Sequence, residues 1–228
     1  MSAVAVRGNW QGRGRNAFSN NWWAGRPGWN GAHWRHHHHW NRYPARHWWG
    51  AATAVAVTGW FTGWWDQPAY YNYGDTVYYQ DDSVYYGDQV AASAEQYYEQ
   101  AVGLAETVPE IDDENAEWMP LGVFALTQPD SEASNMVVQL AVSKEGVIAG
   151  TFFNDTTEAT HPVEGMVDRK TQRAAWHFVD DTNPGLVMET GIFNLTKDET
   201  TALVHFGSDQ TQEWLMVRLE EPESDAPN

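Results

Sequence analysis

From Trp118 onward, apolar side chains recur every second residue in short runs, and each run ends in turn-forming residues. Met136, Val138, Leu140 and Val142 share one face of such a run, and Leu215, Val217 and Leu219 share one face of another. Strict alternation puts successive side chains on opposite faces of an extended chain, so each run predicts a β-strand. Eight are expected: Leu121–Gln128, Met136–Ser143, Val147–Asn154, Pro162–Asp168, Arg173–Val179, Leu186–Asn194, Thr201–Phe206 and Glu213–Leu219. Segments such as Ser143-Lys144-Glu145-Gly146 and Asn183-Pro184-Gly185 supply turns between them. Short strands at this spacing predict an antiparallel meander over 116–221, closed as a barrel or folded into a sandwich, with a disordered tail at 222–228.

Upstream the period changes. Ala94, Tyr97, Tyr98, Ala101, Leu104, Ala105 and Val108 recur at steps of three and four, which predicts an amphipathic helix. Ser93-Ala94-Glu95-Gln96 reads as its capping box, and Pro109 stops it. An acidic linker follows at 109–115. Before the helix, Val77-Tyr78-Tyr79 and Val84-Tyr85-Tyr86 flank Gln80-Asp81-Asp82-Ser83, the pattern of a tyrosine-rich hairpin. An isolated two-stranded hairpin is marginal, so these rings are expected to cover a neighbouring element. The unit 67–115 therefore reads as hairpin, helix and linker, and the whole chain as mainly β.

Residues 1–47 show neither period. Seven Arg, no acid and almost no Leu, Ile or Val predict a low-complexity, flexible arm, because such a stretch buries too little apolar surface to offset its ordering. Charge divides the chain sharply. The first 65 residues carry +7, and the remaining 163 carry six Lys/Arg against 31 Asp/Glu, or −25, for a net −18. At the junction, within the segment 48–66, Trp48 to Trp65 is an uncharged stretch with Trp48-Trp49 and Trp64-Trp65 at its ends. As one helix it would span roughly 27 Å, slightly short of a hydrocarbon core of about 30 Å. Indoles at both ends suit an interfacial belt, and Gly59-x-x-x-Gly63 suits close helix approach. The segment is thus a candidate for membrane attachment or self-association. A small-residue helix or strand packed within the protein is the competing reading.

Candidate chemistry is sparse. His36, His37, His38 and His39 form a tract that would bind Zn, Ni or Cu adventitiously, without the fixed geometry a catalytic site needs. Interleaved Arg and Trp in the arm would contact nucleic acid by charge and stacking, against repulsion from the acidic body. His177 and His205 take the outward phase of their strands and His161 precedes another, so nothing gathers the three. Glu164 and Glu189 lie within strands and could line a barrel interior as paired carboxylates for acid–base work, although two such Glu more often point outward into water. Asn154-Asp155-Thr156 and Asn194-Leu195-Thr196 match the N-glycosylation pattern by spacing alone. With no cysteine, thiol catalysis and Cys-based metal sites are excluded. No nucleophile elbow, zinc-protease helix or phosphate-binding loop occurs. No catalytic residue and no cofactor is assigned, and a non-enzymatic protein is expected. Ser2–Val6 is too short for the apolar region of a cleavable signal peptide.

Glu117-Trp118-Met119-Pro120-Leu121-Gly122-Val123-Phe124-Ala125-Leu126, Leu140 to Gly150, Lys170 to Trp176 and Met188 to Thr196 together resemble an uncharacterised family of planctomycete bacterial proteins. The Val-Tyr-Tyr units and the Trp/Gly/Ala segment belong to the same likeness, which covers about residues 48–220. Members are often labelled "mu-protocadherin, cell-surface protein". The resemblance implies an exported, envelope or surface setting and supplies no catalytic residues; cadherin calcium signatures are absent from this chain. The leading expectation is a non-enzymatic envelope or cell-surface structural or interaction protein of unassigned partner. The alternatives are a β-barrel ligand-binding module and nucleic-acid contact through the basic arm.

Overall fold

The structure is a computed structural model that describes residues 3–13, 17–18, 22, 45–112, 115–128, 131, 134–180 and 182–221. In chain order its elements are α1 (Ala3–Arg13), a 3-10 turn (Ala45–Trp49), α2 (Ala54–Trp60), β1 (Val77–Gln80), β2 (Ser83–Tyr86), β3 (Gln89–Ser93) and α3 (Ala94–Glu106). The meander follows as β4 (Trp118–Thr127), β5 (Met136–Ser143), β6 (Val147–Asn154), β7 (Ala159–Val167), β8 (Arg173–Phe178) and β9 (Leu186–Gly191). A second 3-10 turn (Asn194–Thr196) leads to β10 (Glu199–Phe206) and β11 (Thr211–Arg218).

All eight expected strands form. Each pairs antiparallel with its chain neighbours, and β11 returns to pair with β4 from Leu215↔Thr127 to Arg218↔Phe124, which closes a barrel rather than a sandwich. Closure leaves the barrel itself without an edge strand. Phe124, Leu126, Val138, Leu140, Ile148, Trp176 and Met216 fill the interior. Two glycines make that filling fit. A Cβ at Gly165 would run into the Ala175 carbonyl beside Trp176, and one at Gly122 (φ +128°) would run into the Arg218 guanidinium.

Much of the outer wall is buried as well, so many strand residues are covered on both faces. Val123, Ala125, Val137 and Val217 pack beneath Val6 and Trp10 of α1 and beneath Trp49. Trp10 Nε1 donates to Ser134 Oγ at 3.1 Å. This corrects the expectation of a uniformly flexible arm: residues 3–13 fold because the wall offers Val6 and Trp10 the apolar surface that the arm lacks. Trp48 and Trp118 cover Ala141, Val147 and Ala149 on another part of the wall.

The capping box of α3 forms as read, with Gln96 N donating to Ser93 Oγ and Ser93 N to Gln96 Oε1. The hairpin also forms and gains a third strand, β3. Tyr71, Tyr73, Val77, Val84, Ala92 and Tyr97 turn inward onto Leu203 of the wall, while Ala101 and Ala105 of α3 press on Ala175 and Val187. The tyrosines cover a neighbour, as expected.

The segment 48–65 closes one end of the barrel. In place of an 18-residue helix there is a seven-residue helix, capped by Thr53 Oγ1 accepting from Ala56 N. Among the described residues, no helix is long and apolar enough to cross a membrane. Val57 and Phe61 sit in the barrel core, with Trp60, Trp64 and Trp65 packed against it. Trp60 Nε1 donates to Ser143 O at 3.1 Å, at the end of β5, and Trp65 Nε1 to Arg169 O at 2.7 Å, in the β7–β8 turn. Among the described residues, a Cβ at Gly59 or Gly63 would meet nothing within 4 Å. Of the readings drawn from sequence, packing within the protein describes this segment. Arg218 completes the closure from inside: its Nη1 donates to Leu121 O at 2.8 Å and its Nη2 to Leu195 O at 2.6 Å.

Candidate functional site

The opposite end of the barrel is open. There the inward-facing side chains of β5–β11 surround a cavity of about 200 Å³. Met136, Phe152, Phe178, Met188, Val204 and Trp214 form its apolar wall, and Asn154, Thr157, His161 and Asn183 add polar atoms. Phe152 and Phe178 each retain 8 % exposure, whereas Phe124, Leu126 and Leu140 deeper in the barrel retain none. The mouth is therefore in contact with solvent.

Among the described residues, His161 is the one ionisable side chain lining this cavity. It lies within β7, paired with Phe152, on the same alternation phase as the core residue Val163. Its ring stacks on Phe178 at 5.0 Å between centroids and 29° between planes. Nδ1 is 2.6 Å from Asp180 Oδ2. Asp180 is fixed in turn by Thr182, whose hydroxyl donates to Oδ1 at 2.8 Å and whose backbone N–H does so at 3.3 Å. Partial burial pushes the Asp180 carboxyl up, yet the hydrogen bonds from His161 and Thr182 outweigh it and hold the group below the ordinary aspartate value. A carboxylate only accepts, so Nδ1 carries a proton, and Nε2 is a lone pair whenever the ring is neutral. Among the described residues nothing hydrogen-bonds Nε2.

A second titratable cluster sits on the outer wall beneath α3 and the hairpin. Arg173 Nε donates to Glu189 Oε2 at 3.0 Å, and its Nη1 to Gln100 Oε1 at 2.9 Å. The guanidinium lies 3.8 Å from the centre of the Tyr97 ring. His205 Nε2 stands 3.6 Å from Glu189 Oε1. Burial drives the Glu189 carboxyl up, but Arg173 and then His205 more than reverse it, so it stays ionised below the ordinary glutamate value. Desolvation raises the pKa values of Tyr73 and Tyr97 well above the usual phenol range. Glu189 and His205 are fully buried, and the cluster ties α3 to the wall rather than facing a ligand.

The residues singled out from sequence therefore separate. His36, His37, His38 and His39 lie outside the described residues. His177 and His205 take the outward phase as expected, but His205 is buried under Tyr98 rather than at the surface. Glu164 and Glu189 also point outward, yet both are buried beneath covering elements instead of facing water. Trp48 and Trp49 cover the outer wall, while Trp64 and Trp65 help close the barrel end. Asn194 is fully buried, its amide clamping the Tyr71 backbone through Nδ2–H to Tyr71 O at 2.6 Å and Tyr71 N–H to Oδ1 at 3.0 Å, so its sequon is inaccessible in the fold. No group of three or more His, Asp or Glu able to hold a metal occurs among the described residues.

Sequence reasoning missed the His161–Asp180 pair. Extending the fourth run, Pro162–Asp168, back to Ala159, where β7 begins, places His161 on the face of Val163, inside the barrel. No protein-family model, curated protein or solved structure matches the chain.

Proposed function

We propose that this protein is a ligand-binding β-barrel that takes a small, largely apolar molecule into its open mouth. The observation that carries this reading is the solvent-contacting apolar cavity with one oriented imidazole in its wall. Barrel mouths commonly hold ligands between apolar walls and a few placed polar groups. The cavity of about 200 Å³ is below the usual drug-sized range of roughly 300–1,000 Å³ and above the roughly 150 Å³ that holds benzene, which sets the ligand at about one ring. The Thr182 hydroxyl beside the pair is donated to Asp180 Oδ1 at 2.8 Å, and we read the site as one for binding. An envelope or surface setting, suggested by the family likeness and the cation-first charge order, is a proposal of its own. Cell fractionation with a high-salt wash tests that setting.

Methyl NMR of the full chain tests the binding reading. Met136 and Met188 line the mouth, while Met119, Met166 and Met216 lie elsewhere and serve as internal controls. Titration with one-ring aromatics is expected to move the Met136 and Met188 signals saturably. Shifts confined to the control methionines, or no saturable shift, would overturn it.

A further inference from the structure

Resting on that reading, we infer that the mouth selects a neutral one-ring aromatic bearing a hydrogen-bond donor, a phenol, with His161 Nε2 as the acceptor. Three features of the mouth lead to that chemistry.

The first is the state of the imidazole. Asp180 occupies Nδ1–H at 2.6 Å, and Phe178 occupies one face of the ring. What the ring has left to offer a ligand is its other edge, where Nε2 is a lone pair when the ring is neutral. A hydroxyl meets that edge. A hydrocarbon entering the same space leaves Nε2 unpaired and partly desolvated, a cost the donor-bearing ligand avoids.

The second is the wall. Phe152, Phe178 and Trp214 supply ring faces and edges, and Met136 and Met188 supply thioethers, which make favourable contacts with aromatic rings. Trp214 Nε1 is already bonded to Gln212 Oε1 at 3.0 Å, so this indole contributes its apolar body and not a donor. The volume suits one ring with a small substituent.

The third is charge. Among the described residues the lining of the mouth contains no Lys, Arg, Asp or Glu, and the Asp180 carboxylate stands behind His161. Residues 66–143 contain no Lys or Arg at all, within a chain of net charge −18. A carboxylate or phosphate ligand meets repulsion without a partner, and an ammonium ligand gives up its hydration to enter an apolar wall. The neutral donor meets neither cost.

The test is isothermal titration of the full chain with phenol, toluene, benzoate and benzylammonium at pH 8, repeated on H161F. Phenol is expected to bind about tenfold more tightly than toluene, with benzoate and benzylammonium weaker than both. In H161F the phenol advantage disappears while toluene still binds. Imidazole nitrogen-15 NMR on the wild-type chain gives a readout independent of that variant: phenol shifts Nε2 of His161 and leaves its Nδ1 protonated. Toluene binding as tightly as phenol, or either charged ligand binding best, overturns the selectivity while the mouth remains a binding site. If no one-ring compound binds, the binding reading fails with it.

Discussion

The two ends of the barrel use the same kinds of residue for opposite purposes. At the closed end, Phe61 lies 4.5 Å from Trp64 and 5.2 Å from Trp65, and Trp65 lies 5.7 Å from Phe193. Loop cations rest on these and nearby rings: Lys144 on Trp60 at 3.8 Å, Arg169 on Trp64 at 4.0 Å and Lys197 on Tyr70 at 4.5 Å. The Trp60 and Trp65 indole N–H groups there are donated to main-chain carbonyls. At the mouth, Phe152, Phe178 and Trp214 instead face a cavity, and His161 keeps one nitrogen in reserve. Aromatic richness alone therefore says nothing about binding. What separates a plug from a site is whether apolar surface and hydrogen-bonding capacity are already used within the chain.

The sharpest way to break that contrast is to open the plug. Phe61→Ala removes a ring that is 2 % exposed within the core and is expected to cost about 3–5 kcal/mol in denaturant unfolding. A cost below about 1 kcal/mol would mean that α2 is a loose lid. The wall cluster gives the next effect, through pH. Burial raises the pKa values of Tyr71, Tyr73, Tyr79 and Tyr97 in the fold. Their contribution is thus complete below the unfolded value of about 10 and is lost as pH rises beyond it. Glu189 has the opposite sign: held low by Arg173 in the fold, it contributes above its unfolded value and is lost as pH falls into the acid range. Stability should therefore plateau near neutrality and fall on both sides, with buried tyrosines ionising only as α3 and the hairpin detach. Ultraviolet titration alongside circular dichroism reads both events. The smallest effect is expected at the mouth, where His161→Phe should change stability by less than about 1 kcal/mol, because the ring it replaces serves a ligand more than the fold. A loss comparable to that of Phe61→Ala would make His161 a structural residue.

Much of the fold was legible because the relevant signals are local. Alternation around Val138, Leu140 and Val142 fixed a strand, and Ser93 with Gln96 fixed a helix start. Barrel and sandwich share that alternation, so closure became visible only in the β11–β4 pairing. What covers the wall was harder to read, since Val123 and Val137 signal outward burial without naming a partner. Val6 and Trp10 are two apolar positions in a cationic stretch, too few to suggest a helix until the wall is present to receive them. β3 escaped notice because Gln89-Val90-Ala91-Ala92-Ser93 has weak strand chemistry and pairs through Tyr85 and Val84. The 48–65 segment has the length and the Trp ends of an interfacial helix, but its two-sided packing on the barrel is a tertiary fact. The mouth was hidden for a related reason: His161 and Asp180 meet across a β7–β8 register that sequence spacing does not reveal.

The asymmetry of the barrel ends is tested most directly by hydrogen–deuterium exchange of the full chain with and without saturating phenol. Added ligand should slow exchange around 154–161 and 178–188, while 54–65, already protected by its packing, stays unchanged. Fast exchange across 54–65, or ligand protection appearing there instead of at the mouth, would contradict the assignment of one end as plug and the other as site.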